Sequence, residues 1–277
     1  MNIIDLAKEH CGLFAVCLED WSDQAREAGD RRARWVEDSL ARGLRAKLAI
    51  DERGVVGGMI QYLPIEQSTV NGSGLYFIPC IWVHGHPQGR GNFQRHGMGC
   101  ALLEAAEADA RRLGAKGMAA WGLWLPIWMR ASWFRRHGYR NADRQGVAML
   151  MWKPFSDDAR PPRWYPRGKK LPDPVPGKVN VVAFVNGWCM AMNLVAERAR
   201  RAAGDLGEGV VYREINTTEA SAIARWGFSD ALFVDGKEIR SGPPPSYEAI
   251  RSVIGKRLRA ARTGRRPPRH HEAGTES

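Results

Sequence analysis

Gln94-Arg95-His96-Gly97-Met98-Gly99 is the stretch of this sequence that decides the fold. It lies between a run that predicts a buried strand, Tyr76 to Val83, and a run that predicts an amphipathic helix, Ala101 to Leu113. Two glycines spaced by one residue before a helix let the backbone turn with its N–H groups pointing inward, and the helix N-terminus adds partial positive charge. The pattern predicts a pyrophosphate cradle. Because such a pair can also be a simple tight turn, the surrounding order of elements must decide.

The surrounding sequence predicts a mixed α/β order of elements. These are a helical region from Trp21 to Arg42, strands from Arg45 to Asp51 and from Val55 to Gln67 joined by the turn Glu52-Arg53-Gly54, a strand from Gly117 to Trp124, a short helix from Ile127 to His137, and a closing strand from Val147 to Phe155.

This order resembles the GNAT N-acetyltransferase superfamily over roughly residues 10 to 155. Gln94, Gly97 and Gly99 stand at the defining places of that family's acyl-CoA loop, and Ala131 to Tyr139 resembles its second signature. The resemblance implies acetyl-CoA as co-substrate and an amine on a small molecule or a peptide as acceptor. It also implies a set of residues that contact the cofactor: Ile81, Trp82 and Val83 on the strand, with an oxyanion-binding backbone N–H among them, and Gln94, Arg95, His96, Gly97, Met98 and Gly99 on the loop.

The sequence departs from the family at the places where proton transfer is expected. Many members have a tyrosine in the second signature that protonates the departing thiolate, but the matching residue here is Phe134, and Tyr139 is predicted to be a core aromatic. His84 follows the cradle strand directly, so an imidazole there can act as general base, with an ordinary loop histidine as the alternative. The segment from His84 to Phe93 is longer than the family's usual connection and predicts a flap beside the cleft.

Several tryptophans and one cysteine are interpreted first as members of the hydrophobic core. Five tryptophans lie between the cradle and the end of the closing strand, and core packing is the default for them, while an acceptor pocket is the alternative because ring faces attract amines. Cys80 lies on the cradle strand and is predicted to be core rather than nucleophile. The tryptophans are Trp121, Trp124, Trp128, Trp133 and Trp152.

Composition fits a two-domain protein without a membrane span. The chain has 277 residues, of which 44% are hydrophobic, and no stretch approaches the ~20 apolar residues that cross a bilayer. Met1 to His10 lacks the pattern of a secretion signal, so a cytoplasmic location is expected. The five cysteines are odd in number and have no metal-site spacing, which indicates reduced thiols and no metal site.

The net charge of +11 is concentrated in two segments. One is the proline-rich stretch from Asp157 to Gly177, in which frequent prolines disfavour a helix or a central strand, and the other runs from Lys256 to Arg269. We interpret them as a linker and a solvated tail; contact with nucleic acid or an acidic partner is the alternative, although no nucleic-acid-binding motif accompanies them. The expected division is residues 1–156, a linker at 157–177, a second domain at 178–258 and a disordered basic tail at 259–277.

Residues 178–258 predict the order βαβαββα, which resembles the thioredoxin fold. The fold class is therefore α/β (α+β), with a GNAT fold followed by a smaller thioredoxin-like domain. Trp188-Cys189 follows the first strand, where that family has its W-C-x-x-C site, but Met192 occupies the place of the second cysteine and Asp230 that of the family's proline. A helix N-terminus can lower the pKa of a thiol, so Cys189 is either a low-pKa monothiol or a structural cysteine.

The sequence leaves two functions from different classes open. In the first, the protein transfers an acetyl group from acetyl-CoA to an amine. In the second, a degenerate acetyltransferase fold binds CoA or senses thiols without turnover. Phe134 and Met192 favour the second function, and the intact glycine cradle favours the first.

Overall fold

The computed structural model describes residues 1–125, 128–168, 170–239 and 243–263. These residues form two mixed sheets of seven and four strands, each packed against helices, and a short two-stranded ladder. The mixed α/β fold class predicted from the sequence is confirmed. The predicted tail lies outside the described residues from position 264 onward, and the last helix continues to Arg262, past the expected boundary at residue 258.

The larger sheet has the strand order β1-β2-β3-β5-β6-β8-β7, with β5 and β6 parallel and all other neighbours antiparallel. Its edge strands β1 and β7 were not predicted, because β1 is very short and β7 is mostly polar. The strands are β1 (Asn2–Asp5), β2 (Arg45–Ile50), β3 (Val56–Pro64), β5 (Leu75–Val83), β6 (Gly117–Leu123), β7 (Arg140–Gln145) and β8 (Ala148–Pro154).

Helices cover both faces of this sheet. On one face Leu102 packs with Ile60, and on the other Phe14 and Trp35 pack with Leu48. The first face is covered by α4 (Met98–Arg112) and α5 (Ala131–Arg136), and the second by α1 (Cys11–Ala15) and α3 (Arg31–Ala41). The short helix α2 (Asp23–Glu27) contacts the second unit.

Two helix predictions need correction. The single helical region predicted from Trp21 to Arg42 is divided into α2 and α3, because Gly29 adopts a φ of +71° that interrupts the helix. The helix predicted from Ile127 begins at Ala131, while residues 126 and 127 lie outside the described residues.

The smaller sheet has the order β11-β10-β12-β13, with β10 and β11 parallel and the other neighbours antiparallel. The βαβαββα order predicted from the sequence is present, although the last strand was expected to reach Ser241 and residues 240–242 lie outside the described part. The elements are β10 (Val179–Val185), α6 (Met190–Asp205), β11 (Val210–Asn216), α7 (Ala220–Trp226), β12 (Ala231–Val234), β13 (Lys237–Glu238) and α8 (Tyr247–Arg262).

The proline-rich segment contacts both units. Its β9 (Arg163–Trp164) pairs with β4 (Val70–Asn71), which follows β3 in the first unit. Arg213 of the second unit donates a 2.7 Å hydrogen bond to the carbonyl of Asp173. The segment therefore contains no helix or central strand among its described residues, as its prolines predict, yet it is held at both ends.

Ion pairs connect the two units along α2 and α3. Arg31 forms ion pairs with Glu197 at 3.2 Å and with Glu214 at 2.9 Å. Arg198 forms a third ion pair, with Glu27 at 2.7 Å. Most of these side chains are largely buried, so solvent and salt screen them less than ordinary surface pairs. The two units share a charged interface as well as a linker.

Arg32 lies at the centre of that interface and is 2% exposed. Its guanidinium donates to the carbonyl of Phe14 at 3.4 Å, to Oε1 of Gln61 at 2.8 Å, and to the carbonyl of Trp188. One side chain therefore joins α1, β3 and the turn before α6.

We expect Arg32→Ala to lower the free energy of unfolding by about 3–5 kcal/mol, because its neutral acceptors lose their donor at a cost of about 1–3 kcal/mol each. Urea denaturation followed by tryptophan fluorescence measures this loss. Arg34→Ala is the control, since within the described residues Arg34 pairs with Asp30 alone and both side chains are well exposed; it should cost about 0–1 kcal/mol. Equal losses in the two variants would contradict the central role of Arg32.

Candidate functional site

The site lies where β5 and β6 separate. The two strands pair only from Leu75–Gly117 to Ile78–Ala120. At that point β5 contains one more residue than β3 in their ladder, a bulge that includes Pro79, which has no N–H to donate. We call the point where β5 and β6 separate the fork. There the indole of Trp121 donates a 2.7 Å hydrogen bond to the Pro79 carbonyl and so occupies this backbone acceptor. The carboxyl half of β5 is therefore left with an open edge.

Backbone groups of β5 face this opening. The N–H of His84, just after β5, donates to the Gly57 carbonyl of β3 at 2.9 Å. Because backbone groups alternate sides along a strand, the N–H of Trp82 also points toward β3, whereas those of Ile81 and Val83 point to the open edge. The opening therefore offers hydrogen-bonding groups with no neighbouring strand.

The glycine loop closes the other side of the opening. Gly97 caps α4 with a φ of +81° in a position where an added Cβ would meet nothing within 4 Å. A Cβ on Gly99 would meet Trp133 at 3.6 Å and Val83 at 3.8 Å. Gln94 donates to the Val83 carbonyl at 3.4 Å and joins the loop to β5. The first turn of α4 therefore points its unpaired N–H groups into the opening.

A cavity of about 410 Å³ occupies this place. Eight of the nine residues that the sequence predicted to contact a cofactor line it, and His96, which is exposed, does not. The lining also includes Trp128 and Trp133, which the sequence offered as part of an acceptor pocket, and Cys100 and Arg136, to which it gave no role. The eight are Ile81, Trp82, Val83, Gln94, Arg95, Gly97, Met98 and Gly99.

His84 is fully buried beside this cavity and is bonded at both ring nitrogens. Nδ1 lies 2.7 Å from the Gly91 carbonyl and therefore donates to it, which leaves Nε2 to accept from the Trp21 indole at 3.0 Å. An imidazole in this tautomer can take up a proton only if Trp21 releases it. The arrangement favours a positioning role over the predicted role as general base.

The segment after His84 is a packed loop and not the predicted flap. Phe93 is buried against Gly57, where a Cβ would lie 2.4 Å from its ring. The Phe93 N–H donates to the His84 carbonyl at 2.8 Å, and Arg90 pairs with Asp20 at 3.0 Å. The extra residues therefore tie the end of β5 to the turn between α1 and α2.

The second-signature residues lie on α5 and just beyond it. Phe134 is fully buried and packs edge-on against Trp133 and Tyr139, and Tyr139 is a core residue as predicted. The Nε2 atom of His137 accepts a 3.4 Å hydrogen bond from the Cys100 thiol, and its Nδ1 donates a 2.8 Å hydrogen bond to the Trp133 carbonyl. Sequence reasoning missed the Cys100–His137 pair, because its two members are distant in the chain and meet only when α4 packs beside α5.

The five tryptophans divide among core, cavity and surface; Trp124 is 65% exposed and belongs to neither the core nor the cavity lining. Trp152 is buried in the core, and Trp133 and Trp128 line the cavity. Trp121 contacts Trp128 at 5.3 Å and Trp188 of the second unit at 6.4 Å between ring centroids. Both interpretations of the sequence therefore apply, each to different residues.

The environment of Cys189 bears on its predicted reactivity. It is the N-cap of α6, as predicted, but burial, reinforced by the carboxylate of Asp230, raises the pKa of its thiol to about 12. Cys17 and the buried Cys80 lie close to it, and burial raises the pKa of both thiols as well. This environment disfavours the low-pKa monothiol and favours the structural cysteine, because desolvation outweighs the favourable field of the helix N-terminus.

No protein-family model matches this sequence, and no curated protein matches it. Among solved structures, a GNAT family acetyltransferase from Brucella melitensis in complex with acetyl-CoA is 18% identical; the match covers 59% of this chain and 94% of that one, with a TM-score of 0.41. The PaiA N-acetyltransferase from Thermoplasma acidophilum in complex with coenzyme A is 15% identical, with coverages of 56% and 100% and a TM-score of 0.42. A ribosomal-protein-alanine N-acetyltransferase from Brucella melitensis gives the same four values.

No helix in the described part of the chain is both long and apolar enough to cross a membrane.

We expect the alkylation rate of Cys189 by iodoacetamide to keep rising with pH up to about pH 10 without a plateau, because its thiolate is scarce at lower pH. Peptide mass spectrometry after timed quenching measures the rate at this residue. The same cysteine in urea is the control and should titrate near about 8.5, the ordinary thiol value. A midpoint near that value in the folded protein would contradict the buried environment.

Proposed function

We propose that the first unit is an acyl-CoA N-acyltransferase of the GNAT type that moves an acetyl group from acetyl-CoA to an amine on a small molecule or a peptide. The observation that carries the proposal is the fork between β5 and β6, which opens directly onto the glycine turn at the start of α4. The fork offers unpaired strand groups and the glycine turn offers an anion site. An acyl-CoA needs both, since it carries a peptide-like arm and a pyrophosphate.

The glycine turn would hold the phosphate end. Backbone N–H groups at Gly97, Met98 and Gly99 begin a helix of 15 residues, whose N-terminus attracts anions. Arg95 and Arg136 line the same cavity and add positive charge. Gly97 matters most, because its φ of +81° strains any residue with a side chain.

The open edge of β5 would hold the arm and the reacting carbonyl. Acetyl-CoA supplies a thioester whose acyl carbon is open to attack by a neutral amine. The N–H groups that Ile81 and Val83 direct toward the opening are suited to bind the amide groups of the arm and the oxyanion. His84 fixes the end of this strand through Gly57 and Gly91.

For the second unit we propose a thioredoxin-like domain at about residues 178–258, joined through the 157–177 linker to the first unit at 1–156. The strand order β11-β10-β12-β13 and the position of Cys189 at the start of α6 support this. A dithiol reductase needs a resolving thiol near the attacking one, and Met192 stands where that thiol is expected. Cys17 and Cys80 of the first unit lie close to Cys189, but burial raises the pKa of all three thiols, so this domain acts by packing against the transferase unit and not by reducing disulfides.

The alternative is a protein that binds acyl-CoA without turnover. Phe134 favours it, because this buried ring replaces the hydroxyl expected to protonate the thiolate. A screen of primary amines with acetyl-CoA, monitored by release of free CoA thiol, separates the two functions. Thiol release that depends on the amine supports transfer, whereas acetyl-CoA binding without release for any amine supports the alternative.

We expect Gly97→Glu to weaken acetyl-CoA binding by about 2 kcal/mol or more, roughly thirty-fold in Kd, because the carboxylate adds like charge at the pyrophosphate position. Isothermal titration calorimetry measures the affinity. Gly54→Glu is the matched control: Gly54 has a φ of +79° and open space around it, but it lies in the β2–β3 turn. If a folded Gly97→Glu variant binds acetyl-CoA as Gly54→Glu does, the proposed cofactor site is wrong.

A further inference from the structure

Cys100 and His137 form a thiol–imidazole pair at the start of α4. Cys100 is the third residue of that helix, and its thiol donates a 3.4 Å hydrogen bond to Nε2 of His137, at the end of α5. The imidazole donates from Nδ1 to the Trp133 carbonyl at 2.8 Å and packs on the Trp133 ring, with 4.2 Å between the ring centroids. A sulfur nucleophile, a base within hydrogen-bond reach and a third group that orients the base are the parts of a nucleophilic site.

The two hydrogen bonds fix the direction of proton transfer. A carbonyl oxygen only accepts, so Nδ1 of His137 carries a proton and the lone pair of Nε2 faces the Cys100 thiol. Transfer of the thiol proton to Nε2 leaves a thiolate beside an imidazolium that keeps both of its hydrogen bonds. The thiolate also lies in the first turn of a helix of 15 residues, where the partial positive charge of the helix stabilises an anion.

The other four cysteines of the chain have different surroundings. Cys11 is half-buried at the start of α1, as Cys100 is at the start of α4, but its thiol donates to the Ala7 carbonyl at 3.6 Å. Within the described residues, Cys100 is therefore the one cysteine whose thiol contacts an imidazole. Burial raises the pKa of the three remaining thiols, those of Cys17, Cys80 and Cys189.

The pair opens onto the cavity of about 410 Å³ at the glycine turn. Cys100 lines this cavity and is only half-buried, so a reagent that enters the cavity reaches its sulfur. Arg95 and Arg136 line the same cavity, and within the described residues no acidic side chain does. The charged walls and the N-terminus of α4 therefore favour an anionic reagent over a cationic one.

We propose that Cys100 is a modification site for an anionic low-molecular-weight disulfide of the glutathione type, and that the mixed disulfide closes the cavity to acyl-CoA. The second half of the inference rests on the proposed function, and it makes acetyl transfer dependent on the ratio of thiol to disulfide in the surroundings. A peptide attached to Cys100 fills space beside Gly97 and Gly99, where the pyrophosphate is expected. Its negative charges occupy the cationic groups that the phosphates need.

Atoms and electrons balance in this exchange. The Cys100 thiol gives its proton to His137, and the thiolate attacks one sulfur of the disulfide. A new bond forms between Cys100 and that sulfur while the old sulfur–sulfur bond breaks. The other half of the reagent leaves as a thiolate and takes up the proton from the imidazolium. The Cys100 sulfur is oxidised, the released half is reduced, and an excess of free thiol reverses the step.

The first experiment measures how fast each cysteine of the folded full-length protein reacts with glutathione disulfide, by timed quenching and peptide mass spectrometry. We expect Cys100 to react at least about tenfold faster than Cys11, and His137→Gln to lower the Cys100 rate by about tenfold or more because the proton acceptor is lost. His96→Gln, which changes an exposed histidine of the glycine loop, should match wild type. Equal rates at the two cysteines, or an unchanged Cys100 rate in His137→Gln, would overturn the site.

The second experiment tests the preference for an anion. The rates at Cys100 with glutathione disulfide and with cystamine, a cationic disulfide, are compared in the folded protein and again in urea, which corrects for the intrinsic reactivity of the reagents. We expect folding to raise the ratio of the two rates by about fivefold or more in favour of glutathione disulfide, and Arg136→Gln to reduce this gain. The same ratio in both states would overturn the selection of an anion.

The third experiment links the modification to the cofactor. Treatment with glutathione disulfide should weaken acetyl-CoA binding by about tenfold or more in calorimetry, and dithiothreitol should restore it. Bound acetyl-CoA should in turn slow the modification of Cys100. Cys11→Ser is the control and should respond as wild type does, whereas Cys100→Ser should keep its own affinity through the treatment.

Two outcomes separate this inference from the proposed function. Unchanged acetyl-CoA affinity after complete modification of Cys100 would overturn the blocking role while the cofactor site stands. An untreated wild type that does not bind acetyl-CoA would overturn the proposed function and the blocking role together. In that case the rates at Cys100, and their dependence on His137, would still decide whether Cys100 is the modification site.

Discussion

The buried guanidinium of Arg32 is the interaction on which the rest of this structure depends. Its acceptors are neutral oxygens from Phe14, Gln61 and Trp188, which belong to a helix and a strand of the first unit and to the second unit. A buried charge is tolerated only while its hydrogen bonds are made, so these three groups must stay together. The position of the second unit on the first follows from this requirement, and the surrounding ion pairs of Arg31 and Glu27 act in the same direction.

The fork in the large sheet is a local consequence of backbone chemistry. Pro79 cannot donate to a ladder, and the bulge beside it turns β5 away from β6. Once the strands part, helix α4 can enter with its N-terminus directed into the space between them. Trp82, on the same strand, lines the cavity at the glycine turn and also lies 6.2 Å from His86 between ring centroids.

Burial has opposite consequences for two titratable groups in this protein. For Cys189 it raises the pKa of the thiol to about 12, which keeps the nucleophilic thiolate scarce. For Glu19 it also raises the pKa, and a carboxylate that binds protons more readily is a better general base. A reactive thiolate at Cys189 is therefore disfavoured, whereas the Glu19 carboxyl holds a proton more readily than an exposed carboxyl does.

The sequence alone determined most of the elements and their order, though not the edge strands β1 and β7, because strand and helix periodicity and the glycine pair at Gly97 and Gly99 are local signals. It also placed eight residues of the cavity lining, since these belong to one strand and one loop. Only the tertiary structure decided the environment of His84, Cys189 and Glu19. Their hydrogen bonds and desolvation come from groups distant in the chain, such as Trp21 for His84 and Asp230 for Cys189, and proton affinity depends on those neighbours rather than on the residue type.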